Sequence, residues 1–403
     1  PMYHFTSVPP LFLGVEAGTE AAVRPALAQS FLHWGFLAWA VVGSLGAIVL
    51  MVLNDTRGVP LRPRALLVPV VGDRLIESPL GSVVDAVCIV AALAGTIGPI
   101  GFLALQLSYS AEVMLGIPDG YATQLVVLTA LTGVATLSAV SGVHKGIRVL
   151  SQINVWLALL LAVAMLVLGP TLFILQEFVL GFGVYLISLP WMATYVGDPG
   201  WLGYWTVFYW GWFIGYGPLM CLFVARISRG RTVREIVLGV CVVAPLLTNL
   251  WFTILGGSGI AFELAQAGAI SGPLKEAGLP AALFAIVGQV PGGGVLMVAF
   301  VVLIFVFLAT SADSMAYSAS MVVSGRFVPP GWMRALWGVL MGVVAGLLLG
   351  LGEGAIRALQ SFIVVTAVPV SAIMATCVVT APLLLWRARK QLQARTDGDT
   401  STT

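Results

Sequence analysis

Residues 208–234 read FYWGWFIGYGPLMCLFVARISRGRTVR. The first eighteen are apolar, aromatic or small, and the last nine contain Arg226, Arg229, Arg231 and Arg234. An apolar run of about 18 or more residues is long enough to cross the hydrocarbon core of a bilayer as a helix. Arginines gathered at one end of such a run mark the end that stays in the cytoplasm. This unit, an apolar span closed by a basic loop, recurs along the whole chain.

The composition agrees. Of 403 residues, 59% are hydrophobic and 9% charged, with a mean hydropathy of +1.03. A soluble domain carries roughly 25% charged residues, so this chain cannot cover a globular surface with polar groups. Further apolar runs lie at 155–175, 292–309 and 363–385. The net charge of +2 comes with no basic stripe, which argues against a nucleic-acid partner. The lipid bilayer is the expected surrounding. Cys88, Cys221, Cys241 and Cys377 all sit inside apolar runs and read as packing residues.

Hydropathy predicts an all-α integral membrane protein with spans at 29–53, 83–107, 122–143, 151–175, 201–225, 234–260, 293–317, 331–352 and 361–386, about nine helices in all. Two connections are long enough to hold structure of their own. The stretch 176–200 suits a short interfacial helix, and 262–291, rich in Gly and Ala, suits a re-entrant or surface helical loop. The tail beyond Trp386 turns polar, and 397–403 is expected to be irregular.

Sixteen of the 19 basic residues fall in alternate loops, at 57–74, 145–148, 226–234, 326–334 and 387–395; only Arg24, Lys275 and Arg357 fall in the others. The sixteen mark the cytoplasmic side, so the C-terminal tail is expected inside. Residues 1–28 then lie outside without a signal peptide. The expectation is that an odd number of helices precedes Pro1.

Two groups of residues suggest chemistry. Trp201, Trp205, Trp210 and Trp212 lie within twelve residues, with Phe208, Tyr209, Phe213 and Tyr216 among them. Trp201 and Trp205 fit an aromatic belt at the membrane border; Trp212, Phe213 and Tyr216 fall near mid-helix beside Gly211, Gly215, Gly217 and Pro218, where the helix is expected to bend or to be closely approached. Aromatic faces can hold a trimethylammonium group, which has no N–H to donate, at roughly 0.5–2 kcal/mol per contact. The second group is Thr310, Ser311, Asp313 and Ser314 in an apolar span. Hydroxyls there either bond back to their own helix or, with carbonyls freed by a helix break, supply hard oxygen ligands for a small cation. Asp85 suits the start of its helix, His33 reads as a packing or hydrogen-bonding residue, and His4 and His144 fall in predicted loops.

Several motifs together resemble the betaine/choline/carnitine transporter (BCCT) family. They are the 208–234 stretch, His33-Trp34 with Trp39, SAVSGVHKGIR at 138–148, TSADS at 310–314, and Pro1–Tyr3. The resemblance implies a twelve-helix, leucine-transporter-type fold of two inverted repeats. On it, residues 1–175 hold the end of helix three and the remaining four helices of the first repeat. Residues 176–200 are a periplasmic interfacial segment, 201–386 the second repeat, and 387–403 a cytoplasmic tail. It implies a secondary active transporter in the bacterial inner membrane, assembled as a homotrimer. The cargo would be glycine betaine, choline, carnitine or a sulfonium analogue.

By the same resemblance, Trp34, Trp39 and Phe213 form the substrate box, with Trp212 and Tyr216 along the same path. Val42 stands where several members have Tyr, and Phe213 where many have Trp. The Phe307 carbonyl, Thr310 and Ser311 match half of a sodium site, making sodium the implied coupling ion. Thr96 matches a threonine of a second sodium site, with Ala92 and Leu219 departing from the pattern beside it. The alternatives are an amino-acid or other cation symporter on the same fold, a channel, or a membrane enzyme. An enzyme would want clustered His, Asp or Glu, and the three histidines are scattered.

Overall fold

The computed structural model describes residues 1–141, 144–326 and 328–400, and their side chains except those of 139–150, 353, 392 and 394–400. Most of the 138–148 motif therefore lies outside the described side chains. The chain is helical, and among the described residues ten helical runs are long and apolar enough to cross a membrane. The first, Glu20–Arg57, contains α1 (Val23–Trp34), α2 (Phe36–Gly43) and α3 (Leu45–Arg57). Then come α4 (Pro79–Leu115), α5 (Tyr121–Ser141), α6 (His144–Leu168) and α7 (Thr171–Ala193). The short α8 (Pro199–Tyr204) leads into α9 (Thr206–Ile227). The run Val233–Ala265 is made of α10 (Val233–Leu238), α11 (Ala244–Phe252) and α12 (Ser258–Ala265), joined by π-helical segments Gly239–Val243 and Thr253–Gly257. The last three are α13 (Gly293–Ser324), α14 (Gly331–Leu349) and α15 (Ala355–Thr400).

Local sequence sets these boundaries. Ser78 caps α4 by accepting from the Gly81 N–H, with Pro79 at the first helical position. Gly116 ends α4 in the left-handed conformation. Thr232 and Glu235 close a capping box at the start of α10. The core centres on α4, which packs against α9, α13, α14 and α15. Gly215 lets α9 approach α15 closely, since a Cβ there would stand 3.2 Å from that of Ala367. Large apolar side chains such as Val126, Trp156, Leu172 and Val365 point outward, as a lipid-facing surface requires.

Four expectations need correction. The fourth predicted span ends at Leu168, not 175, because Pro170 disfavours helical backbone before it. The short interfacial helix expected over 176–200 is the 23-residue α7. Around Gly211–Pro218, α9 runs on through Pro218 and is closely approached at Gly215, and the helix break stands at Trp205 (φ −108°, ψ −77°). α15 continues to Thr400 in place of an irregular tail over 397–400. His4 lies buried in a short helix, Met2–Thr6, against the ring of Trp205. The 262–291 connection does hold two short helices, Ser271–Ala277 and Leu279–Gly288.

Asp85 also has a different role from the one its position suggested. α4 begins at Pro79, so Asp85 stands in the second turn, where the helix-dipole effect has faded. It is buried and bound by Arg64, whose backbone N–H and Nε donate to its two oxygens, each at 2.8 Å. The guanidinium also donates to the Ile76 carbonyl and the Ser82 hydroxyl. This network fixes the 58–78 connection to the end of α4.

Candidate functional site

Trp34 is the last residue of α1, and the chain jogs at Gly35 (φ −95°, ψ −146°) before α2 begins. The jog delivers the Trp34 indole into a group of aromatic rings. Trp212 and Phe213 of α9 meet it edge to face, at centroid distances of 5.5 and 5.4 Å. Tyr209 lies 5.6 Å away and Phe252 of α11 5.1 Å away. Such pairs are worth about 0.5–1.5 kcal/mol each beyond area burial, so Trp34 is held from several sides. The Trp212 Nε1–H donates to the Gly95 carbonyl of α4 at 2.8 Å, which fixes that indole in turn.

Two of the box residues expected from the sequence, Trp34 and Phe213, are thus brought together, with Trp212 of the path beside them. Trp39 is not in this ring group among the described residues. It lies half-buried on α2, and its Nε1–H is buried without a hydrogen-bond partner. Tyr216 sits one turn beyond Trp212 on α9 and lines a cavity of about 210 Å³. Thr310, Ser311 and Ser314 of α13 line the same cavity, with Ser151 and Ser318. Tyr216 of the aromatic run and the hydroxyl group, read separately in the sequence, therefore line one cavity.

The hydroxyls are engaged with their own helix. Thr310 Oγ1 donates to the Val306 and Phe307 carbonyls at 2.9 and 3.0 Å, and Ser314 Oγ to the Thr310 carbonyl at 2.8 Å. Each oxygen keeps lone pairs for a cation. α13 is unbroken from Gly293 to Ser324, so the Phe307 carbonyl belongs to a continuous helix. Thr96 is buried with its hydroxyl on the Ala92 carbonyl at 3.0 Å, the ordinary backbone bond of a helical threonine. Asp313 forms a buried ion pair with Arg334 at 3.5 Å. The Tyr317 ring lies between the guanidinium groups of Arg334 and Arg226, 5.1 and 5.4 Å from its centre. His33 stacks on Tyr209 at 4.7 Å, with Nε2 3.0 Å from Gln29 Nε2 and 3.3 Å from Thr206 Oγ1, a hydrogen-bonding role as read.

Sequence reasoning missed Phe252. It follows Trp251 in an apolar span with nothing local to distinguish it. Its position beside the π-helical segment Thr253–Gly257 is the structural sign, since such segments often mark functional sites.

Comparison with known proteins shows the family. A family model described as BCCT, betaine/carnitine/choline family transporter, matches residues 1–390. Glycine betaine transporter 2 of Vibrio parahaemolyticus is 50% identical over 382 residues, covering 95% of this chain and 70% of that protein. Glycine betaine transporter OpuD of Bacillus subtilis is 34% identical, covering 94% of this chain and 73% of that protein. The ectoine/glycine betaine/proline transporter EctP of Corynebacterium glutamicum is 35% identical, covering 92% of this chain and 60% of that protein.

Proposed function

The chain belongs to the betaine/carnitine/choline transporter family, and from that premise we propose that it imports a small quaternary-ammonium zwitterion, glycine betaine first, by alternating access. It is a multi-pass membrane transporter rather than an enzyme. The observation that carries the solute class is the ring group around Trp34. A trimethylammonium cation is held by aromatic faces at centroid distances up to about 6 Å, and Trp212, Phe213 and Phe252 supply such faces at that range from one point. In the present arrangement Trp34 itself fills the space among them. The cation takes that space when Trp34 swings aside, and Trp34 then becomes one wall of the cage. Trp39, with an unsatisfied indole N–H, would donate to the solute's carboxylate.

Sodium is the proposed coupling ion, held by Ser311, Thr310 and the Phe307 carbonyl beside the Tyr216 cavity. Thr96 is not proposed as a ligand, because Ala92 and Leu219 beside it depart from the pattern of the second sodium site. The proposed location is the bacterial inner membrane, with the C-terminal tail inside and three copies assembled. The inverted-repeat division at 1–175 and 201–386 belongs to the same reading. The basic loops support nine crossings with α7 lying along the outer interface. If α7 crossed, the arginines at 57–74 and those at 226–234 would face opposite sides, against the positive-inside tendency.

The test is uptake of labelled glycine betaine, choline and carnitine by cells expressing the encoded transporter, with sodium or potassium outside. Glycine betaine is expected to accumulate only with sodium. Loss of one hydroxyl ligand, worth roughly 1–1.5 kcal/mol, should raise the sodium concentration for half-maximal uptake about five- to tenfold in Ser311→Ala. Uptake indifferent to sodium would remove the coupling ion from the reading, and no uptake of any of the three solutes would remove the solute class.

A further inference from the structure

α7 lies along α1. The two are joined near one end by a bidentate ion pair, Arg24 Nε and Nη2 to the Glu177 oxygens at 3.0 and 3.2 Å. Two turns further along α7, Tyr185 is fully buried where α1 stops and α2 starts. Its ring stacks on Phe36 at 5.9 Å and meets Phe31 edge-on at 6.1 Å. One contact lies before the jog and the other after it. Its hydroxyl reaches the backbone of the jog, and a Cβ at Gly35 would stand 2.7 Å from that oxygen and 2.3 Å from the Phe31 carbonyl. The Phe31 carbonyl by itself leaves room only for glycine at 35, and the Tyr185 hydroxyl closes the same space from the other side. Trp34 lies between Phe31 and Phe36 in the chain, so a ring packed on both also holds the stretch of backbone that carries the Trp34 indole.

We infer that Tyr185, on a helix outside the aromatic group, is a positioning residue for Trp34. It wedges the α1–α2 jog and so sets solute affinity. The inference rests on the reading that Trp34 belongs to the solute cage. Burial of Tyr185 alone would be satisfied by any packed side chain. Contact with both sides of the jog, together with the tight fit at Gly35, is what links this ring to the direction of Trp34.

The experiment compares Tyr185→Leu, Tyr185→Phe and Trp34→Leu in the encoded transporter, with glycine betaine as the probe. Uptake is measured against solute concentration and normalised to transporter in the membrane. Loss of the two ring contacts should raise the Km of Tyr185→Leu about three- to tenfold with Vmax per transporter kept. Tyr185→Phe keeps the ring and should stay within about twofold of the parent Km. A purely structural role would lower transporter amount and leave Km alone. If Trp34→Leu raises Km and Tyr185→Leu does not, the positioning role is overturned and the cage stands. If neither raises Km, the cage is overturned and the positioning role with it.

Discussion

Asp85→Ala will destabilise the transporter by about 3–5 kcal/mol, the range for removing one partner of a buried ion pair. The mechanism is specific. The Arg64 guanidinium is only 8% exposed, and without Asp85 it keeps two neutral acceptors, the Ile76 carbonyl and the Ser82 hydroxyl. A buried charge with no counter-charge costs far more than the lost hydrogen bonds. The backbone N–H of Arg64 loses its acceptor as well, so the 58–78 connection comes loose from α4. Thermal unfolding in detergent, followed by the monodisperse fraction, should show a large fall in midpoint. Arg64→Met combined with Asp85→Ala removes both charges and should recover most of it, because a buried pair is often replaced by apolar groups at little cost. A single variant that melts with the parent would mean that water reaches the Arg64 guanidinium.

The spans were legible because hydrocarbon thickness and backbone hydrogen bonding leave so few options. Hydropathy alone located the runs around 83–107, 201–225 and 293–317, and α4, α9 and α13 stand there. What it could not supply was partnership at a distance. Nothing near Asp85 announces Arg64, 21 residues earlier, so the local explanation at a helix start was the natural one. Nothing near Trp34 announces Phe252. α7 shows a different limit. Length and apolarity are the same for a helix that crosses the bilayer and one that lies against it, and only the alternation of basic loops separates the two. The jog at Gly35 was hidden for a third reason. It has no proline, and the ring packed on both sides of it, Tyr185, comes from a helix far later in the chain.

The aromatic cage yields the second large effect. Trp34→Leu should raise the apparent Km for glycine betaine about three- to thirtyfold, the effect of losing roughly 0.5–2 kcal/mol of cation–π attraction. The upper end is favoured because Trp34 also seats its neighbours: Trp212, Phe213, Tyr209 and Phe252 all rest on its ring. Leucine removes those contacts and lets the remaining faces collapse toward one another. Phe213→Leu removes one face and should fall lower in the same range. Phe252→Leu should raise Km by a smaller factor, and any rise at all would bring α11 into the cage, which the aromatic run at 208–216 did not suggest. Trp386→Leu is the control, since that indole is exposed, with the Lys390 ammonium over its ring. Substrate quenching of tryptophan fluorescence, measured beside uptake, separates binding from transport. If Trp34→Leu and Phe213→Leu both bind glycine betaine like the parent, these rings are packing and the cation is held elsewhere. If binding weakens in both while Trp386→Leu is unchanged, the affinity comes from the ring group that the Gly35 jog assembles.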